Sequence, residues 1–380
     1  MPEEEELIKP WLDAERARSL VKSGFGLDGE SFTELESYDD RNFRVRLAEG
    51  DPELARYPHG LVLKVTNWKE SIQTEILESV CRMLAEVSKT ITCQTPVRTK
   101  DGKFFVTDVF PIGGKDSPLR KECAVRLFSF LPGRTLHNKR LSPGCCVSWG
   151  SILGRFHRTL RELEFPALLR RCTPWSLFSV PELKPLVDTV LQHPEDRVLV
   201  RSVLKEFEEA QGQFRDLPRS ILHGDLNEKN VLTGPEDDEV RAILDWGDVH
   251  GGPRLFDVAV MLTYVLIAPT ADRSPWHNVA LALAGYLEHS ELERRDVALL
   301  KVLIASRLCQ SLLLGLYTYQ RDPGNDYVLY TQQGGWTALR QLWAASDEEL
   351  ADTWNSVLRE RGFEPLPLRS SSWVGGCSVE

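Results

Sequence analysis

His223-Gly224-Asp225-Leu226-Asn227-Glu228-Lys229-Asn230 and, downstream, Ile243-Leu244-Asp245-Trp246-Gly247 supply an Asp, an Asn five residues later and a second Asp twenty residues after the first. Phosphoryl transfer from a nucleotide needs that inventory. One carboxylate must stand at the attacking hydroxyl, while an amide oxygen and another carboxylate hold magnesium against the phosphates. Asp225, on a loop that leads into a short hairpin, is the candidate proton acceptor. Asn230 opens the hairpin and Asp245 follows its returning strand, so both reach one edge as the oxygen ligands that Mg2+ prefers. A loop whose Asp and Asn merely cap turns is the plainer alternative; the two motifs at this spacing weigh against it. His223, and His157 in Leu153-Gly154-Arg155-Phe156-His157-Arg158-Thr159-Leu160, read as buried, hydrogen-bonded scaffold rather than as bases. The chain is expected to be an enzyme that transfers a phosphoryl group.

Outward from this motif the hydrophobic period changes twice. Residues 11–28 have helical spacing, and Ser31–Glu36, Asn42–Leu47 and Gly60–Thr66 read as short strands. Residues 70–87 are helical again, and two more strands fall near Lys103–Val109 and Cys123–Phe130. Leu131-Pro132-Gly133 then breaks the pattern. Beyond it the spacing is helical at Pro143–Leu163, 181–215, 254–268, 277–289, 291–319 and 334–345. The exception is the strand pair Asn230–Thr233 and Val240–Leu244, joined by Gly234-Pro235-Glu236-Asp237-Asp238. The expected fold class is α+β, a bilobal protein-kinase-like fold. A strand-rich N-lobe with a small antiparallel sheet takes residues 1–130 and a hinge 131–134. A larger, mainly helical C-lobe takes 135–369, and a Ser/Gly-rich tail, 370–380, is expected to be flexible. The nucleotide is expected in the cleft between the lobes.

Within the N-lobe, Lys64 interrupts the apolar strand Leu61-Val62-Leu63-Lys64-Val65. It is either an exposed-face lysine or, paired with Glu75 eleven residues on, a cation held at the nucleotide phosphates. Glu78 competes for the role of Glu75. No Gly-x-Gly-x-x-Gly precedes it; the connection is Ser37-Tyr38-Asp39-Asp40-Arg41-Asn42-Phe43. Its backbone amides, with Ser37 or Asn42, can touch phosphate without glycine, although a polar hairpin turn explains the segment equally well.

Composition narrows the partners. A 42% apolar and 27% charged chain of 380 residues is globular, and a net charge of −10 argues against a nucleic-acid partner. Met1-Pro2-Glu3-Glu4-Glu5-Glu6 does not resemble a signal peptide. The apolar runs Phe256–Ala268 and Val302–Tyr319 contain Asp257, Arg307 and Gln310, so they are read as core helices short of a membrane span. The eight cysteines show no zinc spacing and are read as reduced core thiols, with Cys145-Cys146 serving helix packing. Zinc is not expected.

His223-Gly224-Asp225, Asn230 and Asp245-Trp246-Gly247 together resemble the aminoglycoside phosphotransferase and choline kinase superfamily, whose motif is His-Gly-Asp. Leu153–Leu160 and Phe130-Leu131-Pro132-Gly133 are similar to its Leu-His helix and its hinge. Further similarities lie in Ser37–Phe43, Val125-Arg126-Leu127 running into Leu131-Pro132-Gly133-Arg134, His223–Leu232, Ile243–Asp248, Ser306–Leu312, Asn325-Asp326-Tyr327 and Gly335-Trp336. Together they point to the branch whose acceptor is 5-hydroxy-L-lysine and whose donor is GTP, working in the cytoplasm. The resemblance implies Asp225 as proton acceptor, Asn230 and Asp245 on magnesium, Lys64 and Glu75 at the phosphates, and backbone groups of Ser129 and Leu131 on the purine. Trp246 stands where many protein kinases have Phe, and no Ala-Pro-Glu element follows, which argues against a protein substrate. An acceptor with two ammonium groups and a carboxylate calls for acidic partners and an Arg. Glu228 and Asp248 are the acidic candidates; Arg307, Gln310 and Trp336 are the others, with a buried structural ion pair as the alternative for Arg307. Asp257 is read as anchoring the helix that follows it. Choline, an aminoglycoside or another amino alcohol is the rival acceptor. A silent pseudokinase scaffold is disfavoured, since Asp225, Asn230, Asp245 and Lys64 are all present.

Overall fold

The computed structural model describes residues 8–37, 39–234, 238–270, 273–292, 294–321, 323 and 329–366. Tyr38, the hairpin turn at 235–237, Asn325-Asp326-Tyr327 and the tail 370–380 lie outside the described residues. The chain divides into two compact units, Met1–Gly133 and Arg134–Glu380.

The first unit opens with α1 (Ala14–Leu20), capped by the Asp13 carboxylate on Arg16 N, and continues as a wider turn to Phe25. Gly26, at φ +76°, ends it. A five-stranded antiparallel sheet follows: β1 (Gly29–Leu35), β2 (Arg41–Leu47), β3 (Leu61–Val65), and, after α2 (Trp68–Ser71), α3 (Thr74–Val87) and a two-residue strand β4 (Thr92–Cys93), β5 (Phe105–Pro111) and β6 (Arg120–Ser129). Its order is β1-β2-β3-β6-β5. Side-chain alternation sets the core. Leu61, Leu63 and Val65 on β3 join Val45, Val125, Leu127, Leu20 and Val21 in one apolar cluster, so Val62 and Lys64 face the other way. The sheet register aligns Asn42, Lys64 and Arg126 across three strands.

The second unit begins with β7 (Arg134–Thr135), α4 (Pro143–Leu160), α5 (Pro166–Arg170), α6 (Lys184–Val190) and α7 (Pro194–Ala210). Then come β8 (Arg219–Leu222), β9 (Val231–Thr233), β10 (Val240–Ile243) and β11 (His250–Pro253). Helices α8 (Arg254–Ile267), α9 (Pro275–Leu287), α10 (Arg294–Arg321), α11 (Gln332–Ala344) and α12 (Asp347–Glu360) complete it. Helices α4 and α9 cross closely enough that a Cβ on Gly150 would meet Ala282 O at 1.8 Å, and one on Gly285 would meet Val147 O at 1.9 Å. That approach brings His157 and Tyr286 together inside the core.

Two sequence expectations change here. The run containing Arg307 is part of α10, and its Ala298–Arg321 stretch is long and apolar enough to cross a membrane, with a mean hydropathy of 1.6. However, 83% of that apolar window is buried inside the protein, so here it serves as a core helix. Of the described cysteines, Cys172 is exposed and the other six are buried.

Candidate active site

The loop after β8 is held by its backbone. Gly224 sits at φ +84°, and a Cβ there would lie 2.5 Å from Asp248 O, so only glycine fits. His223 N and Gly224 N donate to opposite oxygens of Asp257, at 2.7 and 2.9 Å. Asp257 lies in the first turn of α8, fully buried, and its Oδ2 also accepts from His157 Nε2 at 3.1 Å. It therefore anchors the loop before it in space rather than only its own helix. Burial works to raise the Asp257 carboxyl, but the His157 bond and charge, with the loop amides, hold it below its ordinary value. The His223 ring, also buried, accepts from Asp225 N at 3.3 Å and donates through Nε2 to Leu244 O at 2.9 Å. One imidazole thus ties the Asp225 loop to the residue before Asp245.

Three donors meet on the Asp225 carboxylate. Arg307 Nη2 donates to Oδ1 at 2.5 Å, and Asn227 Nδ2 and Asn230 Nδ2 donate to Oδ2 at 2.7 and 3.2 Å. Asn227 was missed in the sequence; its own Oδ1 accepts from Lys229 N and Asn230 N, which closes the turn. Arg307 is fully buried, stacked 4.8 Å from Trp175 and 5.6 Å from Tyr264, and its Nη1 donates to Trp175 O and Gln310 Oε1. Gln310 Nε2 donates to the carbonyls of Pro174 and Ser176. Gln310, a candidate contact for the acceptor, thus gives its amide to the 174–176 loop and its oxygen to Arg307. Arg307 likewise pairs with Asp225, the buried ion pair offered above as its alternative.

Asn230 and Asp245 stand at the ends of paired strands. Ile243 pairs with Val231, and Leu244 N donates to Asn230 O at 2.7 Å, which carries the ladder one step further. Asp245 then turns at φ +53° with its side chain exposed, a backbone state that Asp tolerates better than most residues. The donor set suits magnesium: an amide oxygen and a carboxylate, both hard, leaving positions for water and phosphate. Among the described residues no group of three or more His, Cys, Asp or Glu forms a metal cage.

Of the acidic candidates, Asp248 Oδ1 accepts from Thr173 Oγ1 at 2.8 Å; burial, then the nearby Asp225, raises its carboxyl above the ordinary value. Glu228 is buried, and its carbonyl accepts from Leu136 N at 2.9 Å. Burial pushes its carboxyl up from 4.5 to about 7, against the opposing pull of its own backbone amide and Lys229. Trp336 lies on α11; its indole N–H donates to Gln332 and its ring carries Arg340, both on the same helix.

The raised Glu228 pKa carries a sign. The unfolded chain ionises near 4.5 and the folded one near 7, so wild-type stability falls as pH rises across that window, by on the order of 3 kcal/mol. Glu228→Gln has no such cost. In metal- and nucleotide-free protein, unfolding by urea at pH 5 and pH 8 should show the variant gaining on wild type at the higher pH. A gap that does not move with pH would contradict the assignment.

In the first unit, Lys64 Nζ meets Asp40 Oδ2 at 2.8 Å, and Asp40 Oδ1 accepts from Asn67 N at 2.8 Å. Burial works to raise Asp40, but Lys64 first, then Asn67 and Arg126, hold it below its ordinary value. Glu75 lies in the first turn of α3. Ser37 Oγ donates to Asp40 O at 2.6 Å, and the buried amide oxygen of Asn42 on β2 meets no hydrogen-bond donor among the described residues. Ser129 exchanges bonds with Thr95, donating N–H to its carbonyl and accepting from its N–H on Oγ, so its own backbone N–H is spent; Leu131 follows β6. The Asp40 partner of Lys64 and its cross-strand neighbour Arg126 were not anticipated. They follow from the cross-strand register, which no local spacing encodes.

Residues 102–300 match the phosphotransferase enzyme family. The chain is 29% identical over 360 residues to the hydroxylysine kinase of Mus musculus, covering 91% of this chain and 93% of the mouse protein. The hydroxylysine kinase of Danio rerio is 28% identical over 357 residues, covering 91% and 96%. Among solved structures, an amicoumacin kinase in complex with AMP-PNP and Ca2+ superposes with a TM-score of 0.61 at 17% identity, over 94% of this chain and 95% of that one. That likeness shows the fold: α+β, kinase-like, with an antiparallel sheet first and helices after.

Proposed function

Since the chain belongs to the phosphotransferase enzyme family, we propose that it moves the γ-phosphate of GTP to the side-chain hydroxyl of 5-hydroxy-L-lysine, giving 5-phosphohydroxylysine and GDP. The chain is a small-molecule kinase that works with a nucleotide and a divalent metal. The finer reading rests on one observation, the likeness to hydroxylysine kinases along 91% of the chain. GTP, and a cytoplasmic location, follow from the same resemblance.

The chemistry follows from the site. Asp225 accepts the acceptor's hydroxyl proton as its oxygen bonds to phosphorus, held in one orientation by Arg307, Asn227 and Asn230. Asn230 and Asp245 would hold Mg2+, which neutralises charge on the phosphates. Lys64, positioned by Asp40, supplies a cation for the phosphates, with Glu75, Ser37 and Asn42 beside it in this assignment. Backbone groups of Ser129 and Leu131 take the purine. The test is turnover by purified protein with Mg2+ and GTP or ATP on hydroxylysine, lysine, choline and kanamycin. Hydroxylysine with GTP should be the best pair; turnover of choline but not hydroxylysine would sink the acceptor, and an ATP preference would sink the donor.

A further inference from the structure

Glu228 is three residues past the proton acceptor and is only 5% exposed. Among the described residues its Oε2 has no hydrogen-bond donor, and Oε1 lies 3.8 Å from His137 Nδ1, itself buried and without a partner. Lys229, the next residue, places its ammonium 5.2 Å from the centre of the Tyr330 ring, and Oε2 has no bond to it. The His137 and Tyr330 rings pack at 4.5 Å. A buried carboxylate oxygen left unmet is costly, and proteins keep one where a ligand meets it.

We propose that Glu228 binds an ammonium group on the carbon next to the reacting hydroxyl, so that the acceptor this site selects is a vicinal amino alcohol. In such a molecule nitrogen and oxygen sit on adjacent carbons. A carboxylate holding the nitrogen must therefore stand beside the one that takes the hydroxyl proton, and Glu228 lies three residues from Asp225, in the turn that Asn230 N closes on Asn227 O. An ammonium donates three hydrogen bonds, and the unmet Oε2 of Glu228 can accept one of them. Asn227 and Asn230 cannot compete for Glu228, because their amides are spent on Asp225 and on the turn. The assignment rests on Asp225 as proton acceptor, and it assigns selectivity to the end of the molecule that reacts.

The comparison is 5-hydroxylysine against 2-amino-5-hydroxyhexanoic acid, which keeps the hydroxyl and lacks the vicinal amine. Wild type should prefer hydroxylysine by about 100-fold in kcat/KM, the worth of a hydrogen bond to a charged group. In Glu228→Gln that preference should collapse, mainly through KM for hydroxylysine, and Glu228→Asp should restore part of it. A merely structural Glu228 would slow both compounds alike and leave the ratio intact, which overturns this assignment alone. Wild-type turnover of neither compound overturns the acceptor reading above, and this assignment with it. Wild type without a preference also overturns it, and needs no variant.

Discussion

Asp225→Asn should lower kcat by about 10³–10⁴-fold while GTP and GDP affinity stays within a few-fold of wild type. The substitution removes the carboxylate assigned to take the acceptor's proton. It also upsets a filled shell. Arg307 donates to one oxygen and Asn227 and Asn230 to the other, so an amide NH2 must face a donor whichever way it turns. Arg307 then keeps its buried charge with a weaker partner. The residues assigned to the nucleotide, Lys64, Ser129 and Leu131, belong to the first unit and Asp225 to the second, so binding and chemistry should separate. Single-turnover kinetics with a fluorescent-nucleotide titration reads both. Full activity in the variant would discard the mechanism.

The second large effect is on stability. Asp257→Ala should cost about 3–5 kcal/mol, as expected when one partner of a buried charged network is removed. The carboxylate is fully buried and accepts from His223 N, Gly224 N and His157 Nε2; without it three buried donors have nowhere to go. Water cannot easily replace a group with no exposure. Activity should fall too, because the two amides it holds immediately precede Asp225. Urea unfolding at neutral pH measures the loss, and a change below about 1 kcal/mol would mean the loop is held by something else.

How much of this was legible in the chain depends on range. Strands β2, β3 and β6 and helices α3, α4 and α8 lie within a few residues of their expected bounds, because alternation and helical spacing are local properties. The pair β8 and β11 was not expected. His250-Gly251-Gly252-Pro253 has no strand composition, and it is extended only because Arg219–Leu222 pairs with it. Helix α12 was also missed, although Ser346 and Glu349 form a capping box at its start.

The site divides along the same line. The sequence by itself singled out Asp225, Asn230 and Asp245 as candidates, since a loop and a short hairpin carry them whatever surrounds them. It also limited the expected metal to an oxygen-liganded one. Only the tertiary structure decided what each carboxylate meets. Arg307 reaches Asp225 across 82 positions, Asp257 reaches His223 across 34, and Asp40 reaches Lys64 through the turn of a sheet. Burial and pairing depend on which helices and strands pack together, and that is a property of the whole core rather than of any short stretch of residues.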